Sequence, residues 1–189
     1  MAPMSEVIQW VLQTCSQWLE EATGSMKIRG FSDDFGQFIV KNPTPRLQAE
    51  FASRNRGSDA VLMFHGTPIK NLGAILQNGF KPGGTWVAEE PGFSVGYALK
   101  EATGLSPTPR AGALFGGINR NPAFHVGLGE NPQALTPHDS YGALFGCESL
   151  DPVYGSYQFP GLMAIRKTSV TQDARAVMVR YVFLVPLSA

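Results

Sequence analysis

His65 is the residue of this sequence best placed to do chemistry, because an apolar run leads directly into it. Residues 61–64 are Val-Leu-Met-Phe, the composition of a short buried strand, and His65-Gly66-Thr67-Pro68 follows. Thr67 and Pro68 suit the N-cap and the first turn of a helix, so the spacing predicts a strand, a turn and a helix that ends at Gly79. An imidazole at the end of a strand can face a ligand cleft, and it can equally cap the turn that follows.

Other common catalytic patterns are absent from the sequence. The remaining histidines, His125 and His138, lie in a stretch rich in glycine and proline, and there is no HExxH pattern. Cys15 and Cys147 show no metal-ligand spacing, so we expect two reduced, buried thiols and no bound metal. There is also no GxSxG nucleophile turn and no Walker phosphate loop. Hydrolase and nucleotidase chemistry therefore find little support.

The charge balance does not indicate a nucleic-acid partner, which is left open, and it argues against a membrane-surface partner. The 189 residues include 15 basic and 15 acidic side chains, and 16% of residues are charged, against roughly a quarter in an average protein. Neither a signal peptide nor an apolar stretch of roughly 18 residues is evident. We therefore expect an intracellular protein, cytoplasmic or nuclear, with no membrane partner.

The apolar spacing is typical of a mixed α+β chain. Val7, Val11, Cys15 and Leu19 recur at helical spacing, which predicts an amphipathic helix over 5–22. Further helices are expected over 46–54 and 93–101, with a long loop over 103–140. Short strands are expected over 86–88, 142–147, 162–165 and 176–185.

Several short motifs, in order and at consistent spacing, resemble the catalytic domain of the poly(ADP-ribose) polymerase family. They are Phe64–Thr67 followed by Asn71, Ile75–Phe80, the strand Gly84–Ala88, the pair Ser94 and Tyr97, and the lead-in Val40–Pro43. The resemblance covers roughly residues 38–100 well and the C-terminal strands loosely. It implies an ADP-ribosyltransferase-type α+β fold with a split antiparallel sheet over 26–189, and residues 1–25 would form a helix packed on that catalytic domain.

The resemblance also implies a role for each residue of the matched motifs. His65 would hydrogen-bond a ribose of NAD, and the backbone N–H and C=O of Gly66 would pair with the nicotinamide carboxamide. Ser94 would add its hydroxyl to the same carboxamide, and Tyr97 would stack on the nicotinamide ring. NAD would be bound as the substrate, without a metal.

Three further residues complete this implied NAD site. Trp86 stands where the family has a tyrosine, and its indole would supply an aromatic wall with one N–H donor. Thr67 and Ala88 would line the site beside His65 and Trp86. Trp86 could also be an ordinary core residue, since large aromatic side chains dominate protein cores.

The third catalytic position of the family, a glutamate, has no counterpart in the matched register. Gly161 stands at that position when 162–170 is aligned with the late strand of the family. Gln158 and Glu148 are the candidate replacements, and Glu148 can also be read as a surface residue at a strand end. Within the family, absence of this glutamate goes with transfer of a single ADP-ribose or with loss of activity.

The resemblance therefore implies an NAD-dependent mono-ADP-ribosyltransferase with His65, Trp86 and Glu148 as the catalytic set. The acceptor is expected to be a protein, and its identity is open. A catalytically inactive module that binds NAD, ADP-ribose or a protein partner is the alternative, as is an NAD glycohydrolase. An RNA 2′-phosphotransferase ranks low because the arginines are scattered and the net charge is zero.

Overall fold

The secondary structure alternates between helices and strands along the computed structural model. It describes residues 2–32, 34–55, 57, 59–82, 85–92, 94–95, 140–150, 154–155, 168–171 and 173–186. The helices are α1 (Met4–Cys15), α2 (Pro45–Arg54) and α3 (Leu72–Asn78). The strands are β1 (Leu19–Glu21), β2 (Gly36–Val40), β3 (Val61–Pro68), β4 (Thr85–Ala88), β5 (Tyr141–Ser149), β6 (Tyr154–Gly155), β7 (Thr168–Thr171) and β8 (Val177–Pro186). The α+β class predicted from the sequence is confirmed.

The described strands form one antiparallel sheet, in the order β1-β2-β8-β5-β3-β4-β7-β6. β3 pairs with β5 along its whole length, from Val61 opposite Ser149 to Pro68 opposite Gly142. β4 pairs in the same way with β7. Between β3 and β4, however, one residue pair is found among the described residues, Phe64 opposite Ala88. The sheet is therefore two well-paired halves that meet at a single point.

Helices α1 and α3 cover one face of the sheet. Val7 and Val11 of α1 and Leu72 and Leu76 of α3 are buried in the same cluster as Phe145 of β5, and we call this side the helix-covered face. On the opposite face, Phe64, Leu144 and Phe183 pack with the loop before β2, where the Phe31 ring stacks on Phe183 with centroids 4.1 Å apart. We call this the loop-covered face.

The two cysteines lie within the helix-covered cluster, one on α1 and one on β5. Cys15 and Cys147 are both buried and free, as the sequence predicted. Burial raises the pKa of both thiols, because a thiolate loses its solvation in an apolar environment.

The first helix is shorter than the apolar spacing predicts. The expected helix ran over 5–22, but α1 ends at Cys15 and the chain turns, with the Trp18 N–H bonded to the Cys15 carbonyl. Leu19 then starts β1, opposite Val40 of β2, and its side chain is buried there. The leucine that fitted the helical period is thus buried as a strand residue.

The His65 strand is longer than the sequence predicts. The prediction ended it at Phe64 and assigned a helix N-cap to Thr67, whereas β3 continues to Pro68. β5 supplies the pairing for this extension, with Gly66 opposite Leu144 and Thr67 opposite Ala143. His65 therefore lies in the middle of a strand, and the expected role of Thr67 as a helix N-cap is wrong.

The remaining expected elements divide into those the structure bears out and those outside the described residues. The helix expected over 46–54 and the strands expected over 86–88, 142–147 and 176–185 are present within a few residues of their bounds. The strand expected over 162–165 lies outside the described residues, as do most of the residues expected to form a helix over 93–101 and a loop over 103–140. Among the described residues, no helix has the length and hydropathy needed to cross a membrane.

Gly79 ends α3 in a conformation that other residues rarely adopt. Its φ is +77°, and a Cβ at this position would lie 2.8 Å from Leu47 Cδ2. We predict that Gly79→Ala lowers the free energy of unfolding by about 2 kcal/mol, the cost of a left-handed backbone plus crowding. Urea denaturation measures this loss.

Gly73 in the same helix is the matched control. A Cβ there meets nothing within 4 Å. Gly73→Ala should therefore raise the free energy of unfolding by about 0.5–1 kcal/mol, because alanine restricts the unfolded chain more than glycine does. Equal effects of the two substitutions would contradict this account of Gly79.

Candidate functional site

The candidate site lies where β3 and β4 cease to pair. After the Phe64–Ala88 pair, the backbone ladder between the two strands is not continued in the described residues. The gap is spanned instead by a side chain, since His65 Nδ1 lies 2.8 Å from the Trp86 carbonyl oxygen. We call this gap, bordered by His65 and Gly66 on β3 and by Thr85–Val87 on β4, the β3–β4 notch.

The bond to Trp86 fixes the tautomer of His65. A carbonyl oxygen only accepts, so Nδ1 must be the protonated nitrogen that donates. Burial lowers the pKa of the His65 imidazole, against a smaller opposing effect of this hydrogen bond. The neutral ring therefore presents a lone pair on Nε2, for which no hydrogen-bond partner occurs in the described part of the chain. His65 is an oriented hydrogen-bond acceptor.

Two phenylalanines hold the imidazole ring of His65 in place. Phe80, which follows α3, meets it edge-on with ring centroids 4.9 Å apart, and Phe145 of β5 lies at 6.5 Å. Both phenylalanines are buried in the helix-covered cluster. Neither phenylalanine was expected to contact His65, although Phe80 directly follows the predictable helix end at Gly79.

Gly66 directs its backbone groups toward the notch. The Phe64 carbonyl accepts a hydrogen bond from Ser94, in the segment that follows β4 in the chain, and Phe64 pairs with Ala88 of β4. Backbone direction alternates along a strand, so Gly66, two residues on, points the same way. No β4 residue of the described chain pairs with Gly66, and its N–H and C=O therefore face the notch.

Thr67 has a structural role in the observed fold. Its side chain is buried, and its hydroxyl oxygen accepts a hydrogen bond of 2.8 Å from Asn71 Nδ2. This contact ties the end of β3 to the start of α3. The spacing of Thr67 and Asn71, two polar residues four apart, is a sequence signal for this contact.

On the β4 side, the expected site residues differ in their exposure. Trp86 is partly buried and pairs with Val170 of β7. Ala88 is buried at the junction, with Phe64 on one side and Thr168 on the other. Ser94 is also buried, and its hydroxyl donates to the Phe64 carbonyl at 2.7 Å. The structure thus brings His65, Gly66, Trp86 and Ser94 to the same junction.

Glu148 lies apart from these residues. It is opposite Leu62 on β3, whereas His65 is opposite Phe145, and alternation along the strands puts Glu148 on the other face of the sheet from His65. Its carboxylate accepts two hydrogen bonds from Arg180, at 2.9 and 2.7 Å. The geometry therefore does not support the predicted grouping of Glu148 with His65 and Trp86.

The other predicted site residues lie outside the described chain. These are Tyr97, which was expected to stack on nicotinamide, and Gly161 and Gln158 at the third catalytic position. Within the described ranges, no group of three histidine, cysteine, aspartate or glutamate side chains is arranged to hold a metal ion. The notch thus presents hydrogen-bonding groups and apolar walls.

Comparison with known proteins adds no assignment to this geometry. A scan against protein-family models found no match, and a search of curated proteins found none either. Function therefore has to be inferred from the residues around the notch.

The burial of His65 should make the protein less stable at acid pH. Because the folded-state pKa is lowered, the unfolded chain binds the proton more readily, so stability is fully present above a pH of about 6.5 and is lost as the pH falls below it. We predict that the free energy of unfolding of the native protein falls between pH 7 and pH 5, and that His65→Asn weakens this dependence. Urea denaturation across that range measures both, and identical pH profiles would contradict the assignment to His65.

Proposed function

We propose that the β3–β4 notch binds NAD and that the protein transfers single ADP-ribosyl groups from it to a protein acceptor. The observation that carries the proposal is the neutral His65, whose Nδ1–H is bonded to the Trp86 carbonyl while Nε2 keeps its lone pair. The Nε2 lone pair can accept a hydrogen bond from a ribose hydroxyl. Motif resemblance over residues 38–100 supplies the link to NAD.

The groups around His65 match the parts of NAD in their chemistry. A carboxamide has one acceptor and two donor hydrogens, which the N–H and C=O of Gly66 can pair with. The partly buried Trp86 borders the notch on the β4 side, and an aromatic wall there would favour the flat nicotinamide ring. Glycine at position 66 leaves the backbone open to such an approach.

The proposed reaction breaks the bond between ribose C1′ and the nicotinamide nitrogen. The bonding electrons go to the positively charged ring, which leaves as neutral nicotinamide, and the ribose passes through an oxocarbenium-like state. A nucleophile of the acceptor then forms a bond to C1′ and loses its proton to solvent or a base. The residues of the notch bind and orient NAD for this step.

A binding function without catalysis is the second candidate, and the position of Glu148 favours it. The carboxylate that the sequence offered as the third catalytic group is paired with Arg180 on the opposite face of the sheet. In that case the notch would hold NAD or ADP-ribose and the C1′ bond would stay intact. Nicotinamide release separates the two candidates.

Two amide substitutions of His65 test the proposal directly. Asparagine carries an N–H group near the position of Nδ1, so His65→Asn keeps a donor for the Trp86 carbonyl and removes the Nε2 acceptor. Glutamine carries its oxygen near the position of Nε2. We predict about tenfold weaker NAD binding for His65→Asn, the worth of one hydrogen bond, and a smaller loss for His65→Gln.

Calorimetric titration with NAD measures binding, and chromatography of the supernatant measures nicotinamide release. Leu62→Ala is the control on the same strand, because Leu62 is 43% exposed and lies on the other face of the sheet from His65. Release that depends on His65 supports transfer or hydrolysis, which labelled NAD and protein acceptors distinguish. Binding without release supports the second candidate. If the native protein neither binds nor cleaves NAD, the proposal fails.

A further inference from the structure

The junction between the halves of the sheet is held by more than its one strand pair. Ser94, six residues beyond Ala88, donates its hydroxyl hydrogen to the Phe64 carbonyl at 2.7 Å. The neighbouring Val95 packs against the loop-covered cluster that contains Phe64. The segment after β4 thus returns to β3, where Ser94 bonds to Phe64 and Val95 packs against the cluster to which Phe64 belongs.

This hydrogen bond is buried at both ends. Ser94 and Phe64 are 4% and 6% exposed, so water does not replace the bond if the hydroxyl is removed. A buried carbonyl that loses its donor costs free energy, so the fold favours the arrangement in which the Ser94 hydroxyl reaches the Phe64 carbonyl. The bond therefore constrains where β3 and β4 lie relative to each other.

The constraint acts on His65 through the backbone. The Phe64 carbonyl belongs to the peptide group that joins Phe64 to His65, so fixing that oxygen fixes the start of the His65 backbone. On the other strand, Trp86 is two residues from Ala88, the partner of Phe64. Both ends of the His65–Trp86 bond thus lie next to the point that Ser94 holds.

We propose that Ser94 is a positioning residue, which holds β3 and β4 at the separation where His65 can bond to the Trp86 carbonyl. Its hydroxyl hydrogen is committed to Phe64, so Ser94 acts on the notch through His65. The part of this inference that concerns ligands rests on the proposed function. The part that concerns His65 does not.

The first test needs no ligand. The Nδ1–H proton of His65 can be followed by nitrogen-15 NMR of the imidazole, and a bond to a buried carbonyl slows its exchange with water. Ser94→Ala should speed that exchange by about tenfold or more, the factor expected for loss of a buried hydrogen bond. An exchange rate equal to that of the native protein would overturn the proposal.

Ser149→Ala is the matched control for this substitution. Ser149 is a buried serine of β5 whose hydroxyl has no hydrogen-bond partner in the part of the chain described. Its removal should leave the His65 exchange rate unchanged. If Ser94→Ala does not fold, Ser94→Cys replaces it, because a thiol of similar size is a weak donor and should give an intermediate rate.

The second test compares two ligands. NAD contains nicotinamide and ADP-ribose lacks it, while both contain the ribose groups that His65 would contact. Ser94→Ala should weaken binding of both ligands by a similar factor if it acts through His65. Loss of NAD binding with unchanged ADP-ribose binding would overturn the proposal in favour of direct contact with the carboxamide. If the native protein binds neither ligand, the proposed function fails, and the His65 exchange rates still decide the role of Ser94.

Discussion

The pairing of Phe64 with Ala88 is the constraint on which the rest of the site depends. One half of the sheet, which contains β1, β2, β8, β5 and β3, is held by long ladders and by the helices packed on it. The other half is held by the ladder between β4 and β7. Because these halves meet at one pair among the described residues, the strands can separate immediately beyond it without breaking either ladder. A continuous sheet would have used the backbone of Gly66 for pairing and left no notch.

The same junction explains why His65 is neutral and oriented. Its ring extends across the gap to the Trp86 carbonyl, and Phe80 and Phe145 pack against it. The apolar contacts disfavour the imidazolium, while the carbonyl selects the tautomer. Packing and hydrogen bonding thus act together to orient the Nε2 lone pair of His65.

Local signals were sufficient to predict some elements. The end of α3 at Gly79 followed from an apolar period that stops at a glycine, and β8 followed from a long run of β-branched and aromatic residues. The short apolar runs before His65 and around Trp86 also predicted strands, which are present as β3 and β4. These features depend on residues close together in the chain, which is the information that periodicity and turn chemistry contain.

Features that depend on distant partners were not predictable in this way. β3 extends through Thr67 and Pro68 because β5, more than 70 residues later, supplies the pairing. Gly146 and Cys147 pair with Tyr181 and Val179, so Arg180 is an extra residue of β8 at this point. Arg180 bonds to Glu148, a contact that the sequence did not indicate. In both cases a strand far along the chain determines the structure of a short segment: β5 sets the length of β3, and β8 supplies the partner of Glu148.

The reactivity of the two buried cysteines can report how the fold opens. Cys15 lies on α1 and Cys147 on the central strand β5, and the raised pKa of each thiol keeps it protonated and unreactive in the folded protein. A thiol reagent can therefore modify each of them only after the surrounding elements move apart. Detachment of α1 from the sheet would expose Cys15 before Cys147, whereas cooperative unfolding would expose both at one rate.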